Sequence, residues 1–360
     1  MPKEKKDIII KGDCIEVLKN LPEESVDLIF ADPPYNMQTD GELLRTDGSK
    51  FNGVKEQWDK FSSLREYDNF CTLWLKECKR VLKKDGSIWV IGSFQNIFRL
   101  GYIMQDLDFW ILNDVIWAKP NAVPNFAGTR FQNSHETLIW CSKNKGAKYC
   151  FNYKTMKALN NDKQMKSIWN IGICIGKERI KDEKGNKVHS TQKPEQLLYN
   201  IILASTKKND LILDPFFGTG TTGAMAKRLG RHYIGIEKEE DYIFVARERI
   251  NNEKILSDEY IENTFDVKPP KFSMKELLDM GFLYEGQTLY NKEKTKQVTL
   301  SSDGNVILDG QKNSIHKISA KLLGKANNNG WNYFYCIYKE EFICIDLLRY
   351  LAKEEKTPTL

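Results

Sequence analysis

The chain reads as an α/β protein built on a mostly parallel sheet, followed by a smaller domain at its carboxyl end. Three observations carry that expectation. Short β-rich apolar runs alternate with helical patterns along the first two thirds of the sequence. The run Leu211-Ile212-Leu213-Asp214 leads through Pro215-Phe216-Phe217-Gly218-Thr219-Gly220 into a helical stretch, the form of a glycine-rich turn at the carboxyl end of a strand. After Val267-Lys268-Pro269-Pro270-Lys271 the pattern changes to short strands and turns such as Ser302-Asp303-Gly304-Asn305. At 360 residues there is room for one substantial domain over 1–265, a linker over 266–271 and a small domain over 272–360.

The expected strands are Ile8–Lys11, Val26–Ala31, Ser87–Gly92, Phe109–Trp117, Glu136–Cys141, Leu211–Leu213 and Tyr233–Glu237. Between them, Tyr67–Leu82 places Phe70, Leu73, Trp74, Cys78 and Val81 at helical spacing, and Lys83-Lys84-Asp85-Gly86 reads as its stop. Pro194–Thr206 and Thr221–Leu229 read as further helices. The segment from Asn36 to Phe61, with Leu43, Leu44, Arg45 and Trp58 embedded in it, is a long polar insertion of the mobile or functional kind.

Composition narrows the classes. There is no apolar run of membrane-spanning length and no signal-peptide stretch after Met1, so a cytoplasmic protein is expected. The eight cysteines form no CxxC pair and the four histidines lie far apart, which points to packed, reduced thiols and to no metal. Net charge is only +5, but from Cys141 to Lys193 there are 13 Lys and Arg against 4 Asp and Glu. That segment is either a solvated surface or a phosphate-tracking patch interleaved with Tyr149, Phe151, Tyr153 and Trp169.

The glycine turn has two readings, a helix packed on a strand or a cofactor loop. For the second, Gly218 and Gly220 allow close backbone approach and the following helix presents free amides. Glu237, ending the strand His232-Tyr233-Ile234-Gly235-Ile236, is then placed for two ribose hydroxyls. The spacing F-F-G-T-G-T-T-G departs from the NAD fingerprint, and a Walker Gly-Lys-Ser/Thr is absent. Asp214 just before the turn would repel a pyrophosphate but suits an ammonium, which favours S-adenosylmethionine.

A second feature is Asp32-Pro33-Pro34-Tyr35, where two prolines stop a strand. It is either a plain strand end or a rigid set of acceptors. The exocyclic amine of adenine or cytosine is a poor nucleophile, because its lone pair is delocalised into the ring. A carboxylate on Asp32 and the Pro33 carbonyl would accept both N–H groups as the nitrogen pyramidalises, and Tyr35 would stack on an extruded base.

D-P-P-Y at Asp32 to Tyr35 together with D-P-F-F-G-T-G-T-T at Asp214 to Thr222 resembles the amino-directed DNA methyltransferases. The catalytic motif precedes the cofactor motif, as in their beta group, whose order is circularly permuted. The likeness extends through Lys11-Gly12-Asp13-Cys14, His135-Glu136-Thr137, His189-Ser190-Thr191-Gln192-Lys193-Pro194, Ser314-Ile315-His316-Lys317 and Asn329-Gly330-Trp331. Covering nearly the whole chain, it is similar to the HinfI-type modification methylases and the cell-cycle-regulated adenine methyltransferases.

The resemblance implies a class I S-adenosylmethionine-dependent methyltransferase fold with a seven-stranded sheet and a carboxyl-terminal DNA-binding domain. It implies methylation of adenine N6 in duplex DNA, at GANTC, with a restriction endonuclease as possible companion, a homodimer and a nucleoid-associated location. Asp13 and Cys14 would lie near the cofactor adenine and Glu237 at its ribose. Asp214, Phe216, Gly218, Gly220 and Thr221, with Asp32 alongside, would line the methionine end, and Thr191 and Lys193 its carboxylate. Residues of about 121–188 would recognise the target, with Arg130, Asn133 and the lysines to Lys187 on DNA. Leu43 and Arg45 would belong to a loop closing on DNA or a second subunit. Ser314, Asn329 and Trp331 would act in the appended domain, Trp331 either as a stacking face or as a core residue.

Three other functions stay in view. N4-cytosine methylation uses the same geometry, although serine is then more usual at the position of Asp32. A non-catalytic DNA-binding protein could keep the fold, and an NAD-dependent oxidoreductase would ignore DNA. C5-cytosine chemistry needs a nucleophilic cysteine after proline, and no Pro-Cys pair occurs.

Overall fold

The computed structural model describes residues 6–36, 43–44, 50–51, 61–125, 128–182, 185–189, 191–256, 261–266 and 269–356, with 43–44 and 50–51 as backbone only. The chain divides into two compact units, Met1–Asp266 and Val267–Leu360.

The first unit runs β1 (Ile8–Lys11), α1 (Cys14–Lys19), β2 (Val26–Ala31), β3 (Leu43–Leu44), β4 (Lys50–Phe51), α2 (Leu64–Val81), β5 (Leu82–Gly92) and α3 (Ile97–Asp106). It continues with β6 (Trp110–Ala118), β7 (His135–Ser142), α4 (Tyr153–Leu159), β8 (Ile168–Asn170), α5 (Glu195–Ser205), β9 (Leu211–Asp214), α6 (Thr221–Arg228), β10 (His232–Glu237) and α7 (Glu240–Asn252). Its main sheet has the order β1-β10-β9-β2-β5-β7-β6-β8. From β1 to β5 all neighbours are parallel, whereas β7 runs antiparallel to both β5 and β6. The eighth strand, which the sequence pattern did not announce, is a three-residue edge strand pairing parallel with β6.

Both faces of the sheet are covered, so the central strands read as nearly unbroken apolar runs. Leu28 and Phe30 of β2 enter a core with α5 and α6, while Ile29 and Ala31 enter a second core with α1, α2 and α3. This is the period-two alternation of a strand buried on both sides. All eight cysteines carry free thiols, six of them buried. Among the described residues, no helix is long and apolar enough to cross a membrane.

The expected helix stop at Lys83-Lys84-Asp85-Gly86 is corrected. Helix α2 ends at Val81, and Leu82 is already extended. The pairing passes from Val26 opposite Leu82 to Leu28 opposite Ser87, so the four polar residues form a bulge in β5. Lys83 there reaches Asp27 at 2.8 Å, and Gly86 makes room for Leu82, whose Cδ1 would lie 2.7 Å from an added Cβ.

The second unit holds α8 (Met274–Asp279), β11 (Thr288–Tyr290), β12 (Gln297–Leu300), β13 (Val306–Leu308), β14 (Gln311–Asn313) and α9 (Ile315–Leu322). It closes with α10 (Gly330–Tyr333), β15 (Tyr335–Tyr338), β16 (Glu341–Cys344) and α11 (Ile345–Lys356). Its six strands, ordered β14-β13-β12-β11-β15-β16, pair antiparallel and carry a core of their own.

Candidate active site

The sheet topology brings scattered acidic residues to one edge. Asp13 follows β1, Glu237 ends β10, Asp214 ends β9 and Asp32 follows β2, and these four strands are consecutive and parallel. Their carboxyl ends therefore form a row of carboxylates at one rim, where open α/β sheets bind ligands. They line a cavity of about 340 Å³ together with Cys14, Pro33, Pro34, Tyr35, Thr191, Lys193, Phe216, Gly218 and Thr221.

At the β10 side, Glu237 accepts from the amides of Gly218 (2.7 Å), Lys238 (2.7 Å) and Glu239 (2.9 Å). It thereby ties the glycine turn to its own strand end, while burial pushes its carboxyl up. Asp13 caps α1, accepting from the Ile15 amide at 3.0 Å. Beside it, burial pushes the Cys14 thiol up to about 12, so it stays neutral.

Asp214 is buried and accepts from the Phe216 amide at 2.9 Å and the Thr222 hydroxyl at 2.6 Å. Burial pushes its carboxyl up to about 7. Gly218 is left-handed (φ +52), and a Cβ there would stand 3.5 Å from Nε2 of His189, which sits over the turn. Gly220, left-handed at φ +75, is not among the residues that line the cavity, and a Cβ there would come within 2.8 Å of Ala246 Cβ on α7. Phe217, which the sequence reading gave no role, fills the space left by Gly223 and Gly235 and fixes the turn from behind. Thr221 accepts from Arg249 at 2.8 Å.

Asp32 lies in a small polar network. Its Oδ2 is 2.5 Å from Lys193 Nζ and its Oδ1 is 3.0 Å from the Tyr35 hydroxyl. Burial pushes the Asp32 carboxyl up, against the pull of Lys193. Burial opposes the Lys193 charge, but Asp32 and Glu136 outweigh it and hold the ammonium above its ordinary value. Lys193 thus faces Asp32 and the Thr191 carbonyl (3.3 Å), and stands 5.3 Å from the Tyr35 ring centre. The Pro34 carbonyl accepts from Tyr67 at 2.9 Å, whereas among the described residues none donates to the Pro33 carbonyl. Asn36 turns the chain left-handed (φ +52) directly after Tyr35.

Two members of this network received no role from the sequence. Glu136 accepts from the Tyr35 hydroxyl at 2.8 Å, and Lys119 donates to its other oxygen. They adjoin the Trp117–Glu136 and Ala118–His135 pairs of the antiparallel β6/β7 ladder. That ladder returns the chain to the same rim as Asp32, a placement set by strand order and invisible in local spacing.

The DNA contacts expected from sequence fare unevenly. Arg130 and Asn133 are exposed, Asn133 lies just before β7 at the sheet edge where β5 ends, and Arg130 stands 5.3 Å over the Phe94 ring beyond the end of β5. The basic segment does not form one patch. Ser142 pairs with Ser87 directly after the bulge of β5, so Lys143, Lys145 and Lys148 lie toward the edge of the sheet opposite the cavity, and Lys143 bonds Glu24 and the Leu82 carbonyl. Leu43 is described only as part of the β3/β4 ribbon, and Arg45 and Trp58 fall outside the described residues. Ser314 and Asn329 cap α9 and α10. Trp331 is corrected as a stacking face: it is 9% exposed in the core of the second unit, with the Arg349 guanidinium 4.6 Å from its ring centre.

A family model for DNA methylases matches residues 26–248, from the strand before Asp32 to the helix after Glu237. The Type II methyltransferase M.HinfI of Haemophilus influenzae is 62% identical over 342 residues, 95% of each chain. The chain belongs to the N6/N4 DNA methylase family. Another similar methylase is the Type II methyltransferase M2.LlaDCHI of Lactococcus lactis subsp. cremoris, 44% identical over 68% of this chain and 89% of its own. The M1.HpyAVI–SAM complex superposes with a TM-score of 0.50 at 27% identity, over 68% of this chain and 98% of that one. The PvuII DNA methyltransferase (cytosine-N4-specific) shares the fold, with a TM-score of 0.54 at 22% identity over 73% and 92%. This methylase is a class I, S-adenosylmethionine-dependent DNA methyltransferase with a mixed main sheet.

Proposed function

We propose that the rim cavity transfers a methyl group to N6 of an adenine flipped out of duplex DNA, within GANTC. The observation that carries this reading is the position of Asp32 and Tyr35 in the same cavity as Asp214 and Glu237. The choice of adenine and of GANTC rests on the family likeness of the sequence and is supported by 62% identity to M.HinfI.

The donor set fits S-adenosylmethionine. Glu237 and Asp13 would hold the nucleoside end beside the neutral Cys14 thiol. Asp214 would take the cationic amino group, and Gly218 would leave the backbone bare beside the sulfonium-bearing chain. Thr191 and Lys193 would hold the cofactor carboxylate, Lys193 from its place beside Asp32. When bound, the cofactor supplies an electrophilic methyl group.

The chain's own residues prepare the acceptor. Tyr35 stacks on the extruded base. Asp32 and the Pro33 carbonyl, which has no donor of its own among the described residues, accept the two amine hydrogens and let the nitrogen pyramidalise. The two prolines fix both acceptors before the substrate arrives, which removes reorganisation from the reaction. Arg130 and Asn133, at the rim, contact DNA outside the flipped base. A homodimer, a companion restriction endonuclease and a nucleoid-associated cytoplasmic location complete the proposal.

The test is transfer of labelled methyl from S-adenosylmethionine to a duplex library, followed by nucleoside analysis and mapping. N6-methyladenine confined to GANTC is expected. Label in N4-methylcytosine would overturn the choice of base, and label at adenines elsewhere the choice of site. Binding without transfer would overturn catalysis.

A further inference from the structure

The Tyr35 hydroxyl stands between two carboxylates, 3.0 Å from Asp32 Oδ1 and 2.8 Å from Glu136 Oε2. Burial and the two flanking carboxylates push the phenol well above its ordinary value, so it stays neutral and owns one hydrogen. One hydrogen cannot serve both acceptors. Whichever carboxylate is denied it faces the phenol oxygen's lone pairs, and is stabilised there only when it carries a proton of its own.

The surroundings decide which. Glu136 is 12% exposed and is held by Lys119, whose ammonium also lies 4.6 Å from the Trp117 ring centre. Burial pushes the Glu136 carboxyl up, but Lys193 and Lys119 outweigh it and hold it below its ordinary value. Glu136 is therefore the persistent anion and takes the shorter bond, since charge-assisted bonds are the stronger ones.

We propose that Glu136, anchored by Lys119, is a positioning residue that draws the only hydrogen of Tyr35 away from Asp32, so that Asp32 can receive the proton leaving the methylated amine. The inference rests on the proposed amine methylation. In the reaction, the amine nitrogen gives its lone pair to the methyl carbon while the C–S electron pair leaves with sulfur, and the nitrogen becomes cationic. One N–H proton then passes to an Asp32 oxygen and its electron pair returns to nitrogen. The products are a neutral secondary amine, a neutral thioether and a carboxylic acid at Asp32 that donates to the waiting Tyr35 oxygen. Among the described residues, the charged and titratable groups facing Asp32 are Lys193, Tyr35, Glu136 and, along the rim, Asp214.

The test is a double-mutant cycle on single-turnover methyl transfer, with cofactor binding measured by calorimetry in every variant. In E136Q the neutral amide competes poorly, the Tyr35 hydrogen turns to the ionised Asp32, and transfer slows at least about tenfold with cofactor affinity unchanged. In Y35F, which keeps the ring, adding E136Q changes the rate less than about twofold, because the part of Glu136's action that runs through the Tyr35 hydroxyl outweighs its direct charge effect on Asp32 and Lys193. The ¹³C carboxyl resonance of Asp32 titrates at lower pH in E136Q than in the wild type. If E136Q loses cofactor binding, E136Q/K119M, which removes both charges together, replaces it in the cycle. Equal losses from E136Q in both backgrounds, or no loss in either, would overturn the inference. Failure of the wild type to methylate DNA would instead overturn the proposed function.

Discussion

Lys193 Nζ stands 2.5 Å from Asp32 Oδ2, and both side chains are largely shielded, at 8% and 18% exposure. A pair of this kind contributes little over a well-packed apolar pair, but removing one partner leaves a buried charge without compensation and costs about 3–5 kcal/mol. Lys193→Met is therefore expected to lower stability at neutral pH by about that amount. Without Lys193 the Asp32 carboxyl rises further above its unfolded value. The contribution of this group to stability is then fully present below the unfolded value and lost as pH climbs through the folded one. Urea unfolding of the variant at pH 7.5 and pH 4.5 should show the deficit shrinking in acid, and an equal deficit at both would contradict the pairing.

Asp214 predicts the pH dependence of cofactor binding. Its carboxyl, raised by burial to about 7, is mostly protonated at pH 6 and mostly ionised at pH 8. An ammonium-bearing ligand prefers the ionised form, so affinity for S-adenosylmethionine should rise with pH across that interval, by up to about tenfold. Calorimetry at both pH values checks this. Asp214→Asn should bind more weakly and lose the dependence, and a wild type with flat affinity would remove Asp214 from the cationic end.

The two turn glycines should respond differently to alanine. At Gly220 a Cβ meets Ala246 Cβ at 2.8 Å and the backbone is left-handed, so Gly220→Ala should destabilise the first unit by about 1–3 kcal/mol. At Gly218 the nearest atom is 3.5 Å away, so only the backbone strain remains and the loss should be smaller, while the new methyl enters the cavity and weakens cofactor binding. Thermal unfolding beside cofactor titration separates the two effects. Equal stability losses would count against the distinction.

Trp331 belongs to a core, and its truncation should show as instability. Trp331→Ala is expected to cost the second unit about 3–5 kcal/mol. Urea unfolding followed by near-ultraviolet circular dichroism reads this, and an unchanged midpoint with weakened DNA binding would restore a surface role.

The parallel strands and the cofactor turn were legible because each is a local pattern. Ile8–Lys11 and Val26–Ala31 stand where the apolar runs placed them, and helices α5 and α6 begin within one residue of expectation. Gly218 and Gly220 are both legible as turn residues that let the backbone approach closely, but nothing local separates them, because the contact that crowds Gly220 comes from Ala246 on a later helix. The bulge at Lys83 to Gly86 carries the same basic residues and glycine as a helix stop, and only pairing with β2 distinguishes the two. Glu136 and Lys119 were hidden for a related reason. Tyr35 and Glu136 are 101 positions apart, and what joins them is the antiparallel return of β7 into an otherwise parallel half-sheet. The lysines after Cys141 looked like one patch because sequence adjacency ignores the turn that carries Lys143 to the far edge.

Asp32 shares one cavity with Asp214 and Glu237, where it is proposed to accept the target amine beside the bound cofactor. The most direct measurement is single-turnover transfer of labelled methyl to a GANTC duplex by Asp32→Ala, with S-adenosylmethionine affinity measured on the same preparation. Cofactor binding should stay close to that of the wild type while the transfer rate falls by about 10²–10⁴-fold. A variant that binds the cofactor and methylates adenine at the wild-type rate would contradict that role of Asp32.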